Sequence, residues 1–478
     1  MSTSQFRRDR YHSEVIVLLL LAALPVLAET WDRFRGPNGS GVFESAAFPA
    51  EFGPGKNLVW KTELPAGLSS PVLDEQRIFL TAADKGELVT LCLDRTSGRV
   101  LWRRGVSRVR TEKLHELNHA SAASVALASN RVIAFFGDFG LVAYDRDGSE
   151  RWRILMGPFT NLYGMGASPI VTQGKIILVC DQSKDSFIAA FDPANGKQLW
   201  RTARPEAISG HSTPIVLGKL VIAPGSFRMD AYEVGTGRIA WTAEGLPSEM
   251  KSVPVVDGST IYIHGFNTPD NDPGRLPAIP PFAEVLPASD ADKDGMISKA
   301  EAPTPRSRSN FEYIDLDSNG QVNEEEWALY RRTMQAENAL LAFDISGARP
   351  VLRWKFQRSI PQLPSPLVYR SVIYLVNESG ILTTLDATTG KLHKQARLRA
   401  ASDRYYASPI AADGKVIIAS HSGVVSVLEA GPEQKLLAVN DLGEEILATP
   451  ALAPGRLYLR TAGALWCFGD SQVGRAQR

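Results

Sequence analysis

The sequence predicts an all-β fold, an eight-bladed β-propeller of four-stranded blades with a small α-helical pair inserted in the fifth blade. Three observations predict it. A hairpin signature recurs eight times along the 478 residues. Most hairpins are followed by a third apolar run and an Asp/Gly turn leading to tryptophan. One interval between repeats is far too long, and the excess is acidic.

The hairpins read "SSPVLDEQRIFLT", "SAASVALASNRVIAFFG", "ASPIVTQGKIILV", "STPIVLGKLVIA", "SVPVVDGSTIYIH", "PSPLVYRSVIYLV", "ASPIAADGKVIIA" and "ATPALAPGRLYLR". Each is Ser/Thr-Pro or a variant, an apolar strand, a polar turn and a second apolar strand; Val125 replaces proline in the second. Behind them come "LCLDRTSGRVLW", "VAYDRDGSERW", "AAFDPANGKQLW", "DAYEVGTGRIAW" and "TTLDATTGKLHK". The turn glycine supplies backbone freedom, and the tryptophan is placed to pack one unit on the next. Four strands per unit make a propeller blade.

Pro169, Pro214 and Pro254 lie 45 and 40 residues apart, and Pro366, Pro409 and Pro450 lie 43 and 41 apart. Pro254 to Pro366 spans 112, and the excess falls between "IYIHGF" and "LLAFDISG", where a connecting loop can grow without disturbing the ladder. The last repeat ends at "ALWCFGD" with no fourth strand, while "NLVWKTEL" (57–64) precedes the first hairpin unpaired. Joining them closes the ring and removes its sheet edges.

The expected organisation is therefore a signal peptide at 1–28, a leader at 29–56 packing on the propeller, and blades at 57–267. The insertion follows at 268–337, the remaining blades at 338–470 and a disordered tail at 471–478.

The insertion holds "DADKDGMISKAE" and "DLDSNGQVNEEE". An EF-hand loop needs oxygens at positions 1, 3, 5, 7, 9 and 12 and glycine at 6. The first loop offers Asp290, Asp292, Asp294, the carbonyl of Met296, Ser298 and Glu301 around Gly295. The second offers Asp315, Asp317, Asn319, the carbonyl of Gln321, Asn323 and Glu326 around Gly320. Ile297 and Val322 at position 8 are β-branched and suited to pair the loops. Between Glu284 and Glu326 there are 11 acidic and 4 basic residues, a net −7 that repels itself unless cations neutralise it. Two Ca²⁺ ions are expected, since a bidentate glutamate at position 12 suits the larger ion. "EEEWALYRRTMQAENALL" should leave the second loop as a helix, and "PPFAEVL" and "RSNFEYI" should enter the loops as short ones. Pro303 and Pro305 allow about one turn between the loops, a compressed pair.

The turns from Asp94 to Trp102 and Asp192 to Trp200, with "WDRFRGPNGSG" at Trp31 to Gly41, resemble the quinoprotein-like, or PQQ-like (BamB-like), β-propeller repeats of secreted bacterial proteins. The resemblance covers about residues 31–470 and implies the propeller fold. The family it implies includes both quinone-dependent dehydrogenases and the outer-membrane-assembly propeller, so activity is not implied. A dehydrogenase would need a PQQ platform, calcium beside the quinone and a carboxylate base. No specific motif here supports PQQ: the adjacent Cys-Cys pair of the alcohol-oxidising branch is missing, and Glu116, Asp181 and Asp403 do not map onto its catalytic acids.

The totals narrow the rest. Acidic and basic residues number 52 each, which excludes the basic excess of a general nucleic-acid binder. "RRDR" followed by "VIVLLLLAALPVLA" and Val26-Leu27-Ala28 reads as a secretory signal, with an uncleaved anchor as the alternative. Export to the periplasm or outside is expected, with no transmembrane span after cleavage. Cys92, Cys180 and Cys467 sit in apolar runs and read as buried small hydrophobes, the alternative being a Cys92–Cys467 bridge. Loops entering the blades, "LHELNHAS", "NLYGMGAS", "AISGHST", "SEMKS" and "DRYYAS", should converge at one mouth and offer His119, His211, Lys251, Arg404 and Tyr405. The expectation is a monomeric exported calcium-binding module, with no catalytic residue assigned, that meets another protein or a small ligand at this face. The alternative is a PQQ-dependent dehydrogenase.

Overall fold

The computed structural model describes residues 30–398 and 403–469. The signal segment at 1–28 and the tail at 471–478 lie outside them. Eight four-stranded antiparallel sheets form the ring. The first blade runs Val72–Leu73, Arg77–Asp84, Glu87–Asp94 and Val100–Ser107 in that spatial order. Inner and middle strands are buried, whereas the fourth strand alternates towards solvent. That is why the third and second runs read as continuous apolar stretches while the Trp-bearing run does not.

The eighth blade is Ala451–Ala453, Arg456–Arg460 and Ala464–Phe468, completed by Leu58–Glu63 from the other end of the chain. Thr62 stands opposite Leu465, and Glu63 opposite Ala464. The ring thus closes through its two ends: Ala464–Phe468 is paired on both sides, and Leu58–Glu63 takes the outer place that the fourth strand holds in the other blades.

Adjacent blades lock through the tryptophans. The Trp102 Nε1–H donates to the Arg146 carbonyl at 2.9 Å, Trp152 to Pro193 at 2.9 Å, Trp200 to Val234 at 3.0 Å and Trp354 to Thr388 at 3.0 Å. Each acceptor lies in the turn of the next blade, whose glycine rests on the indole. At Gly237 (φ 72°), a Cβ would stand 2.4 Å from the Trp200 ring. Glycine is required there twice over, for its positive φ and for the close approach.

The Ser/Thr of each Ser/Thr-Pro pair has a second task. Ser70 N–H donates to Ser124 Oγ (2.9 Å), Ser124 to Ser168 (3.0 Å) and Ser168 to Thr213 (3.0 Å). Val253, Ser365 and Ser408 donate in turn to Ser365 (2.9 Å), Ser408 (2.9 Å) and Thr449 (3.1 Å). Two runs of hydroxyls, one over the first four blades and one from the fifth to the eighth, therefore pass the backbone N–H of one blade to the next. Val253 separates them, having no hydroxyl to offer Thr213.

The leader crosses one end of this axis. Leu73 N–H donates to the Trp31 carbonyl at 2.8 Å and Leu127 N–H to the Asp32 carbonyl at 3.0 Å. Arg33 reaches Val171 O (2.9 Å), Asn38 clasps Val216 through both its amide groups (2.8 Å each), and Arg35 reaches Pro366 O (2.8 Å). Val42 pairs with Ala411. A single segment so touches the inner strands of the first, second, third, fourth, sixth and seventh blades and stoppers that end of the channel.

The fifth blade, Val255–Asp257, Thr260–Gly265, Ala339–Asp344 and Val351–Phe356, carries the insertion between its second and third strands. Helices α1 (Phe282–Ser289), α2 (Pro305–Ser309), α3 (Phe311–Ile314) and α4 (Glu324–Gln335) enclose a core of their own, with Phe282, Ile297, Phe311, Val322 and Trp327 buried together. Pro305 sits in the first turn of α2, where its missing N–H costs nothing. The three cysteines are free and buried, which removes the Cys92–Cys467 bridge. Burial pushes the Cys92 and Cys467 thiols up to about 12.

Candidate functional site

At the end of the channel opposite the leader the blade-entering loops surround a funnel of about 400 Å³. Phe34 floors it, the hydroxyl belt (Ser70, Ser168, Thr213, Ser365, Ser408, Thr449) rings it, and His115, Glu116, Tyr163, Lys251, Arg404 and Tyr406 stand at its mouth. Tyr163 organises one side. Its hydroxyl donates to Glu249 Oε1 at 2.8 Å, its ring meets His115 edge-on at 5.7 Å and lies 5.9 Å from His211, and Lys251 Nζ sits 5.4 Å from its centroid. Lys251 is itself ion-paired with Glu249, and its side chain is 7% exposed. His211 Nε2 lies 2.9 Å from the Gly164 carbonyl, so that nitrogen carries the proton and donates. Burial, with the Lys251 charge behind it, lowers this imidazole to about 4. His211 is neutral at pH 7.

Two of the expected mouth residues are elsewhere. Tyr405 is fully buried, its ring packed against Gly380 in the sixth-to-seventh blade core. Extended backbone after Arg404 alternates sides, so Tyr406 faces the funnel instead. His119 turns aside into the neighbouring crevice with His421 and Arg460, its Nδ1 2.7 Å from Ser121 Oγ. His115, four residues earlier in the same "LHELNHAS", takes the place foreseen for it. His211, Lys251 and Arg404 do line the funnel. Tyr163 sat inside a loop already singled out, but nothing in a single sequence marks a tyrosine as the residue on which four neighbours converge.

The three acids weighed as catalytic are dispersed. Asp181 is buried and clamped by Arg204, at 2.7 Å from Nε and 3.0 Å from Nη2. Asp403 accepts the backbone N–H groups of Arg404 and Ser422. Only Glu116 borders the funnel.

The acidic loops repeat one geometry. In the first, Asp290 accepts the N–H of Asp294 (3.1 Å) and Gly295 (3.0 Å), Asp292 that of Asp294 (3.2 Å), and Asp294 that of Met296 (2.8 Å). In the second, Asp315 accepts the N–H of Asn319 (3.1 Å) and Gly320 (2.9 Å), Asp317 that of Asn319 (3.2 Å), and Asn319 that of Gln321 (2.7 Å). The last carboxylate folds back in both: Glu301 accepts from Ala291 N and Ser298 N (2.9 Å each), Glu326 from Leu316 N (2.9 Å) and Asn323 N (3.0 Å). Asn323 also caps α4 by accepting Glu326 N–H. Gly295 and Gly320 have φ of 82° and 86°. Ile297 pairs with Val322 and Ser298 with Gln321, and Gln321 Nε2 donates to Asp294 at 3.0 Å, so Met296 and Gln321 stand at the start of the two-strand contact.

Oxygens of Asp290, Asp292 and Glu301 lie within 4.8 Å of one another, as do those of Asp315, Asp317 and Glu326. Oxygens this close can converge on one shared metal ion. The Ser298 hydroxyl and backbone hold Glu301 down at about 2, whereas burial raises Glu326.

The insertion leans back over the funnel rim. Tyr313 of α3 faces Tyr163, Lys113 reaches Glu312 at 3.0 Å, and Lys184 reaches Asp317 at 3.3 Å. Arg332 of α4 covers the Phe227 ring at 4.2 Å.

The sequence matches the family model described as outer membrane protein assembly factor BamB over residues 53–162, 162–269 and 318–476. The chain belongs to this family. BamB of Moraxella catarrhalis has the same fold, at TM-score 0.55 and 12% identity over 86% of this chain and 98% of that one. So do a europium-containing methanol dehydrogenase (TM-score 0.57, 11% identity, 93% and 98%) and the quinohemoprotein alcohol dehydrogenase of Comamonas testosteroni (0.59, 11%, 93% and 81%). Identities this low show a shared fold alone. A search of curated proteins finds no match. Among the described residues no helix is long and apolar enough to cross a membrane.

Proposed function

We propose that this chain is an exported, calcium-binding propeller that works as a binding or assembly module, with its funnel mouth as the contact face and one Ca²⁺ in each acidic loop. The observation that carries it is the make-up of the funnel. Its lining offers one carboxylate, Glu116, and its best-placed cation, Lys251, is already committed to Glu249. PQQ is a tricarboxylate, and its platform needs several uncommitted cations and a carboxylate-held metal beside it. The residues present do not fit that group: among the described residues, the clusters of three acidic ligands are both in the insertion. A module of the assembly-factor type needs none of this. The ligand spacing, glycine conformation and paired position-8 residues of the two loops support calcium. The family's tie to outer-membrane protein assembly supports a place in the cell envelope.

Calorimetry on the full chain should register two Ca²⁺ sites, with Glu301→Gln and Glu326→Gln each weakening one by tenfold or more. Unchanged isotherms in the double variant would remove the metal half of the reading. A quinone absorbance in protein purified from its native host would overturn the module half. Capture of an envelope protein that Tyr406→Ala abolishes would support it.

A further inference from the structure

The funnel has charges that the fold does not use. Lys251 is spent, but Glu116 and Arg404, exposed side chains at the rim on the loops leading to the second and seventh blades, have no ion-pair partner within 4.0 Å among the described residues. The Arg404 guanidinium donates to the Tyr406 hydroxyl at 3.2 Å. The two are too far apart for a direct ion pair, yet within electrostatic reach: the guanidinium is raised first by its contact with Tyr406 and further by the charges of Glu116 and Asp403. A cavity that presents one unpaired carboxylate and one unpaired guanidinium repels part of any ligand carrying a single sign of charge.

We infer that the funnel takes a small zwitterion of the amino-acid class, its ammonium against Glu116 and its carboxylate against Arg404. This rests on the funnel being a binding site, as proposed above. An ammonium and carboxylate on one small molecule lie about 3 Å or more apart, and two charge-assisted hydrogen bonds of about 2.8 Å extend that to roughly 8–9 Å. Such a ligand can meet both charges without their touching each other. The belt adds donors: Ser365, Ser408 and Thr449 accept a backbone N–H, and none of their hydroxyl protons has an acceptor among the described residues. Leu117, Leu363 and the Tyr163 ring give the side chain of the ligand an apolar wall. A volume of about 400 Å³ admits an aromatic amino acid or a dipeptide.

The test is calorimetry on the full chain with L-phenylalanine, L-leucine and L-phenylalanyl-L-alanine, against phenethylamine and 3-phenylpropanoate, which keep one charge each. At least one zwitterion should bind tenfold or more tightly than both single-charge analogues. Glu116→Gln should weaken the zwitterion about tenfold and leave 3-phenylpropanoate unchanged, while Arg404→Gln should do so and leave phenethylamine unchanged. No heat from any zwitterion at millimolar concentration, or equal affinity for the single-charge analogues, overturns the inference. Ca²⁺ titration and partner capture on the same samples report separately on the module reading, so the two can fail independently.

Discussion

Tyr163, in the loop entering the third blade, and Tyr313, on α3 of the insertion, stand ring to ring with centroids 6.1 Å apart. The first belongs to the funnel mouth, and the second is two residues from Asp315, which opens the second acidic loop. The insertion has its own core but is not free of the ring: it is docked on the rim by this pair and by Lys113–Glu312 and Lys184–Asp317.

Tyr313→Ala is expected to loosen that docking without unfolding either part, since Tyr313 is about half exposed. An aromatic pair contributes about 0.5–1.5 kcal/mol beyond its area. Amide exchange should therefore quicken severalfold at 158–164 and 311–316 and stay unchanged in the blades. Unaltered protection at 158–164 would show that the rings are neighbours without energetic coupling.

Closure through the ends predicts a strong dependence on Trp60, which is buried, lies on the strand paired with Ala464–Phe468 and holds the Gly98 turn of the first blade. Trp60→Ala should cost about 3–5 kcal/mol in urea unfolding. Deleting 57–64 should expose the edge of the eighth blade and yield aggregates in size-exclusion chromatography. A stable, monomeric deletion variant would contradict the closure.

His211 and His264 predict an acid-side loss of stability. Burial lowers both imidazoles from 6.5 to about 4, and each donates Nε2–H to a carbonyl, of Gly164 and Pro364. Between those values the unfolded chain binds protons that the folded chain refuses. Stability is then full above about pH 6.5, falls as the pH drops towards 4, and loses up to about 3 kcal/mol for each histidine. Urea midpoints at pH 7 and pH 4.5 should differ less in His211→Gln than in the parent. An equal difference would show that His211 is protonated in the fold.

How far the sequence could be read follows from the range of each interaction. Blade number, the four-strand unit, the closing strand and the insertion point are repeated local patterns: alternation, turns and apolar runs are written within about forty residues, and the ring simply stacks them. The fold of the two acidic loops was legible for the same reason, since the turns at Gly295 and Gly320 and the pairing of Ile297 with Val322 are built from two short segments. The tryptophan turns were half legible, because glycine's backbone freedom is local but its contact with the indole of the preceding blade is not.

The funnel was decided by tertiary structure. Whether Tyr405 or Tyr406 faces the axis depends on how the chain resumes after Arg404, one residue of phase in an extended segment, and phase is set by what the neighbouring blade leaves room to bury. The same holds for His115 over His119, and for the leader whose Arg33, Arg35 and Asn38 reach carbonyls more than a hundred residues away. Composition and repeat period determined the architecture, since every blade must bury the same face. Charges left unpaired at Glu116 and Arg404 emerge only when eight separate loops are brought around one axis, because pairing is a property of distance and not of sequence.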